Sequence, residues 1–234
     1  LPQIKELFKE AVASDKPVLF VPYAMPHPFK NEEEYVDLVK KVLEPQGIKI
    51  ISARDAEDPK TLLDKAGGIF IGGGNTYRLL DELQKTGMLE AISQKIDEGM
   101  PYLGSSAGTV IACPTIATTN DMHSRIPQSL NALDKLPFQL NCHFLDDAQF
   151  DPKHNGETRT TRIAEYQREN KDVPVLGIRE GTALKVEGDK IYLRGNRTAR
   201  LFKYEKEPVE IDGQGGSKDI SRTVCYQRGD VEKS

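Results

Sequence analysis

Two serines stand between glycines in GSSAG, residues 104–108. The stretch fits G-x-S-x-G with Ser106 at its centre, after an apolar run that ends at Gly104 and before another that starts at Ala107. At a strand-to-helix turn of this kind the central side chain is lifted above a sheet. The next N–H, here that of Ala107, is aimed at the oxygen of a carbonyl under attack. The chemistry is acyl transfer by a serine nucleophile. Ser105 then serves packing or hydrogen bonding. The competing reading is a turn of small residues that merely lets a strand and a helix pack.

A serine nucleophile needs a base, and the chain has four histidines: His27, His123, His143 and His154. His143, in LNCHFLDD just past an apolar run, has the strand-end position of a sheet-edge catalytic group. His27 and His154 stand in Pro- and Gly-flanked loops, and a surface or core histidine is the alternative for each. A third group should orient the imidazole and stabilise its cation. Asp146, Asp147, Glu157 and Glu180 all qualify by type, and spacing does not choose among them. A second glycine cluster, GGGNT at 72–76, ends another apolar run. Glycines there allow positive φ and close backbone approach, and the helix that follows offers N–H groups to an oxyanion. It is neither a Walker loop nor GxGxxG.

The elements that must hold these groups follow from hydrophobic patterning. Strands are expected at 17–24, 48–53, 68–74 and 100–106, with helices at 31–47, 58–67, 76–87 and 88–99 and another from Ala107. An amphipathic helix opens the chain with Ile4, Leu7, Phe8 and Val12. Alternation of this kind predicts an α/β fold: a mostly parallel sheet covered by helices on both faces. The second half is expected to have a strand at 136–144 and a helix at 155–170. Strand-like runs follow at 173–195, with a hairpin turn at Glu187–Asp189, and at 198–211. A single domain over 1–211 is expected, with 212–234 a mobile polar tail. Because the chain begins directly in a helix pattern, a first strand is expected to precede it.

Composition narrows the function classes. In 234 residues the net charge is −4, which does not suit a surface built for nucleic acid or anionic membranes. No apolar run approaches a membrane span and no signal peptide is apparent. The three cysteines, Cys113, Cys142 and Cys225, have no metal-ligand spacing and suit reduced thiols in a cytoplasmic protein. No metal or cofactor is expected.

Taken together, several segments resemble peptidase E, the α-aspartyl dipeptidase family of the class I glutamine amidotransferase-like fold. They are FVPYA (20–24), IFIGGGNTYRLL (69–80), GSSAGTVIACPTIATTNDM (104–122), LPFQLNCHF (136–144), NGETRTTRI (155–163) and VLGIREG (175–181). The resemblance implies Ser106 as nucleophile, His143 as base and Glu180 as third triad member. It implies an oxyanion hole from the Ala107 N–H and that of Gly73 or Gly74. It further implies Arg159 as partner of a substrate aspartyl side chain, a task suited to a bidentate guanidinium. Asn120 and Asp121 are the candidates for the substrate α-amine, because TTND follows the nucleophile helix. The implied activity is hydrolysis of Asp-Xaa dipeptides by a monomer or homodimer, with no nucleic-acid or membrane partner. The rivals are a β-aspartyl peptidase of the cyanophycinase kind and a non-catalytic small-ligand-binding member of the fold. A glutaminase is disfavoured, because it wants cysteine at the elbow. Two departures from the family pattern stand out: Cys142 where proline is usual, and NDMHSR (120–125) in place of an apolar run.

Overall fold

The computed structural model describes residues 2–12, 15–149, 156–213 and 217–224. His154, Asn155, Cys225 and the remainder of the expected tail lie outside them. The chain divides into two compact units, Leu1–Ile116 with Asp121–Lys135, and Ala117–Asn120 with Leu136–Ser234. The sequence, which shows no interior linker, gave no sign of this division, because the units exchange chain segments rather than meet at one boundary.

The first unit is built on four parallel strands in the order β2-β1-β3-β4: β1 (Val18–Val21), β2 (Ile50–Ser52), β3 (Gly68–Ile71) and β4 (Tyr102–Gly104). VLFV and GIFI are continuous apolar runs because strands of a covered parallel sheet are buried on both faces. On one face Val18, Phe20, Ile50, Phe70 and Leu103 pack against two helices. These are α1 (Pro2–Ala11), through Phe8, and α2 (Glu32–Leu43), through Tyr35, Val36, Val39 and Leu43. Pleating turns the neighbouring Leu19, Val21, Ile69 and Ile71 to the opposite face, where all four are buried. Three further helices follow β3 and β4: α3 (Thr76–Lys85), α4 (Met88–Asp97) and the short α5 (Ala107–Val110). The start of α2 is set by Asn31, whose side chain accepts from the Glu34 N–H, and by three glutamates facing the helix dipole. Residues Pro59–Lys65, expected as an α-helix, form a tighter 3-10 turn capped by Asp58.

The second unit has a mixed sheet, β10-β9-β6-β5. Strand β5 (Gln139–Cys142) runs parallel to β6 (Val175–Ile178), and β9 (Ala199–Phe202) and β10 (Val209–Ile211) continue antiparallel. Helix α6 (Arg159–Glu169) contributes Ile163 to a cluster with Phe144, Val175 and Phe202. A separate sheet joins β7 (Thr182–Glu187), β8 (Lys190–Gly195) and β11 (Ser217–Asp219), and is followed by α7 (Ser221–Val224). The β7–β8 hairpin turns at Gly188, φ +56, as the Glu-Gly-Asp signal predicts.

Two expectations change here. The run 198–211 is two strands, because the turn after Phe202 holds Glu205 at φ +53 and is followed by Pro208. Residues 217–224 are not a mobile tail: β11 pairs with β8, the Ile220 N–H donates to Ile191 O at 2.8 Å, and Ile220 is 1% exposed. Ile220→Ala should therefore cost about 2–5 kcal/mol of stability. A thermal melt checks this, and an unchanged Tm would return the segment to a dispensable tail.

Candidate active site

Strand β4 ends at Gly104 and α5 begins at Ala107, so Ser106 stands at the turn between them. Its backbone lies at φ +52, ψ −107, where an L residue costs roughly 1–3 kcal/mol. The surroundings enforce that strain. The Ser105 N–H donates to Ile71 O at 3.1 Å, and the Ser106 carbonyl accepts from Thr109 and Val110 at 2.8 and 3.0 Å. The Thr109 hydroxyl donates to Gly104 O at 2.9 Å, and the Tyr102 hydroxyl donates to Gly108 O. The motif needs glycine at both ends. A Cβ on Gly104 would meet Gly108 O at 2.4 Å, and one on Gly108 would meet Ile71 O at 2.2 Å. Ser106 is half-buried while Ser105 is exposed. Ala107 opens α5, where a backbone N–H has no intrahelical acceptor.

The second glycine turn lies against this serine. A Cβ on Gly73 would be 3.1 Å from Ser106 Cβ and 3.8 Å from its Oγ. Gly74 takes φ +136 with Ala24 O pressed against it, 2.4 Å from where a Cβ would be. The Asn75 N–H donates to that same Ala24 carbonyl at 2.9 Å. Asn75 also caps α3, its Oδ1 accepting from the Arg78 N–H.

The loop that departs from the family pattern is fastened to this helix start. Asp121 Oδ2 accepts from the Thr76 N–H at 2.8 Å and from its hydroxyl at 2.6 Å. The Ser124 hydroxyl donates to Asn75 Oδ1 at 2.7 Å, and Asn75 Nδ2 donates to Met122 O at 2.9 Å. The His123 ring lies 4.1 Å from that of Tyr77, and Arg125 pairs with Asp81 and Glu82. Asp121, Ser124 and Arg125 thus tie this loop to α3 and its cap through hydrogen bonds and ion pairs.

In the second unit β5 delivers His143 just past Cys142, at φ +55. Its Nδ1 is hydrogen-bonded to Glu180 Oε1, one of the four carboxylates open by type. Asp146 is engaged with Arg179 at 3.0 Å, and Glu157 with Arg162. Both partners are exposed, 55% for the His143 side chain and 74% for that of Glu180. The residues beside them are well held. Arg179 bonds Asp146 and Glu210, and the bond from its guanidinium to Asp146 keeps that carboxyl below the usual carboxylate range. The Phe144 N–H donates to Ile178 O, and Gly177 makes room for the Phe144 ring, which a Cβ would approach to 2.7 Å.

Asn120 is hydrogen-bonded to the end of β5. Its Nδ2 donates to Cys142 O at 2.9 Å, and its Oδ1 accepts from Asn141 Nδ2 at 3.0 Å. Its amide is spent on holding the end of β5 just before His143. Arg159 is the first residue of α6, half-buried behind the Thr158 cap. Ser106, Ala107, Gly73, Gly74 and Asp121 therefore belong to the first unit, and His143, Glu180, Arg159 and Asn120 to the second.

A strained backbone at a serine is of use where its hydroxyl must attack, and a His–Glu pair where a proton must be moved. Both features suit a serine-type hydrolase on an α/β scaffold. The match of residues 1–194 to Peptidase family S51 makes the assignment specific: the chain belongs to that family of serine peptidases. It is 45% identical over 194 residues to "Peptidase E" of Streptomyces coelicolor, which covers 82% of this chain and 76% of the relative. It is 42% identical over 210 residues to "Probable alpha-aspartyl dipeptidase" of Drosophila melanogaster, covering 89% and 84%. A solved structure from Listeria monocytogenes, 28% identical, superposes with a TM-score of 0.62 over 81% of this chain and 92% of its own. The fold is the class I glutamine amidotransferase-like one. Among the described residues no helix is long and apolar enough to cross a membrane.

One residue escaped the sequence reading. Tyr35 reads as an apolar position of α2 by its period, yet its hydroxyl reaches the glycine turn. The only available signal was the phenol itself, a polar tip at a core position.

Proposed function

We propose that this chain hydrolyses α-linked Asp-Xaa dipeptides through an aspartyl acyl-enzyme on Ser106. The observation that carries the reading is Ser106 at positive φ in its elbow, with Gly73 against it. The names of the relatives supply the substrate class. His143 takes the Ser106 proton as Oγ attacks the scissile carbonyl carbon. Glu180, bonded to Nδ1, fixes the tautomer so that Nε2 does the proton transfer, and it stabilises the imidazolium. The oxyanion is held by the Ala107 N–H and an N–H of the Gly73–Gly74 turn, each donor typically worth about 3 kcal/mol. His143 returns the proton to the leaving amine of Xaa. Water, activated by the same imidazole, then releases aspartate. Arg159 reads the substrate β-carboxylate and Asp121 accepts from the α-amine, while Asn120 supports the strand that carries His143.

Purified protein should turn over Asp-Leu and leave β-Asp-Leu and Asn-Leu nearly untouched, as followed by free-leucine release. Preference for β-Asp-Leu would favour the cyanophycinase-like reading, and absence of any turnover the binding-module reading. Arg159→Ala should lower kcat/KM for Asp-Leu by about a hundredfold, because a charge-assisted contact to the carboxylate is lost. Activity on Asn-Leu should not fall with it. An unchanged Asp-Leu to Asn-Leu ratio would remove Arg159 from the specificity role.

A further inference from the structure

The Tyr35 hydroxyl and Ser106 flank the same pair of glycines in the first unit. A Cβ on Gly72 would stand 2.2 Å from Tyr35 Oη and 2.8 Å from Cζ, so only glycine admits the phenol there. One residue on, Gly73 lies against Ser106. The ring is held from two sides. Phe29 stacks on it at 5.2 Å and 20°, and Phe20 meets it edge-on at 5.1 Å and 84°. Tyr35 is 8% exposed and sits on the regular helix α2, so its hydroxyl has little freedom. An aromatic clamp of this kind fixes a polar tip at low entropic cost, since a tyrosine has only two side-chain torsions to freeze.

We propose that Tyr35 is a positioning residue for the oxyanion turn: its hydroxyl takes the Gly73 N–H, fixes the Gly72–Gly73 peptide, and thereby assigns the Gly74 N–H as the second oxyanion donor. This rests on the reading of Ser106 as nucleophile and of Gly72–Gly74 as the turn beside it. The phenol remains neutral throughout the working range, because burial pushes its pKa up to about 12. It is thus a hydroxyl acceptor for the peptide N–H rather than a phenolate that would repel a developing oxyanion. Preorganised donors contribute to catalysis because they need no reorientation as charge develops. A turn whose peptide can rotate loses that advantage while ground-state binding is unaffected.

Tyr35→Phe keeps the aromatic clamp and removes the hydroxyl alone. It should lower kcat for Asp-Leu about tenfold, the loss expected when one hydrogen bond no longer holds the turn. KM and Tm should stay close to wild type. The affinity of a boronic acid, which forms a tetrahedral anion on the serine, should weaken by a similar factor. The affinity of a non-cleavable Asp-Leu isostere should not. Unchanged kcat and boronate affinity would overturn the proposal. So would a fall in kcat accompanied by equal changes in KM, isostere binding and Tm, which marks a merely structural role. A wild-type protein that ignores Asp-Leu would sink the substrate reading instead. The boronate comparison would still decide the role of Tyr35.

Discussion

Ser106→Ala should lower kcat on Asp-Leu by about 10⁴-fold or more, the scale seen when the nucleophile of a serine hydrolase is removed. Ser105→Ala should keep a substantial fraction of the activity. The contrast follows from the elbow. Ser106 alone has the positive-φ backbone and the glycine turn against its side chain. Ser105 is exposed, and its main chain serves the scaffold: its N–H binds Ile71 and its carbonyl accepts from the Gly108 N–H at 3.0 Å. Ser106→Ala keeps the Cβ and with it the backbone strain, so the inactive protein should melt close to wild type. Ser106→Gly should be the more stable of the two in its folded backbone, glycine being at ease at positive φ. Rates of leucine release and thermal melts of the three variants check both halves. If Ser105→Ala is the lethal change, the nucleophile has been misassigned.

His143→Ala should be nearly as damaging, again by about 10⁴-fold, because the serine then lacks a base and the leaving amine lacks an acid. The double variant with Ser106→Ala should be no slower than the worse single one, since groups that act as one unit do not add. Glu180→Gln should be milder, about ten- to a hundredfold. The carboxylate of Glu180 is largely exposed, and solvent screens its charge on the imidazole more than in a buried triad. Steady-state kinetics of the four proteins test this order. Additive losses in the double variant would separate His143 from the serine.

The parts of this molecule fixed by local rules were legible in the sequence. The apolar runs at 18–21 and 68–71 are strands because buried parallel strands need no polar face. The glycines of GSSAG and GGGNT mark close backbone approaches, and the contacts at Gly104, Gly108 and Gly74 show what each avoids. What escaped notice depended on distant partners. Tyr35 has the period of a core residue, and only the fold brings its hydroxyl to Gly72. Asn120 follows the nucleophile helix in sequence, but its amide is taken by β5, which begins 19 residues later. The polar run SKD gave no strand signal, because β11 is held by backbone pairing to β8 while Ile220 and Val224, four residues apart, supply the anchors. Among four carboxylates, type and spacing could not select Glu180. Family resemblance is what selects it, and in the structure Glu180 is hydrogen-bonded to His143.

The acyl-enzyme itself can be caught most directly with an activated α-aspartyl ester, for which formation outruns hydrolysis and the intermediate accumulates. The reaction is quenched in acid, the protein is digested, and the peptide spanning 102–115 is sequenced by mass spectrometry. The predicted result is an aspartyl group on Ser106, present in wild type and absent from Ser106→Ala. An aspartyl group on Ser105, or steady consumption of the ester with neither serine ever modified, would contradict it.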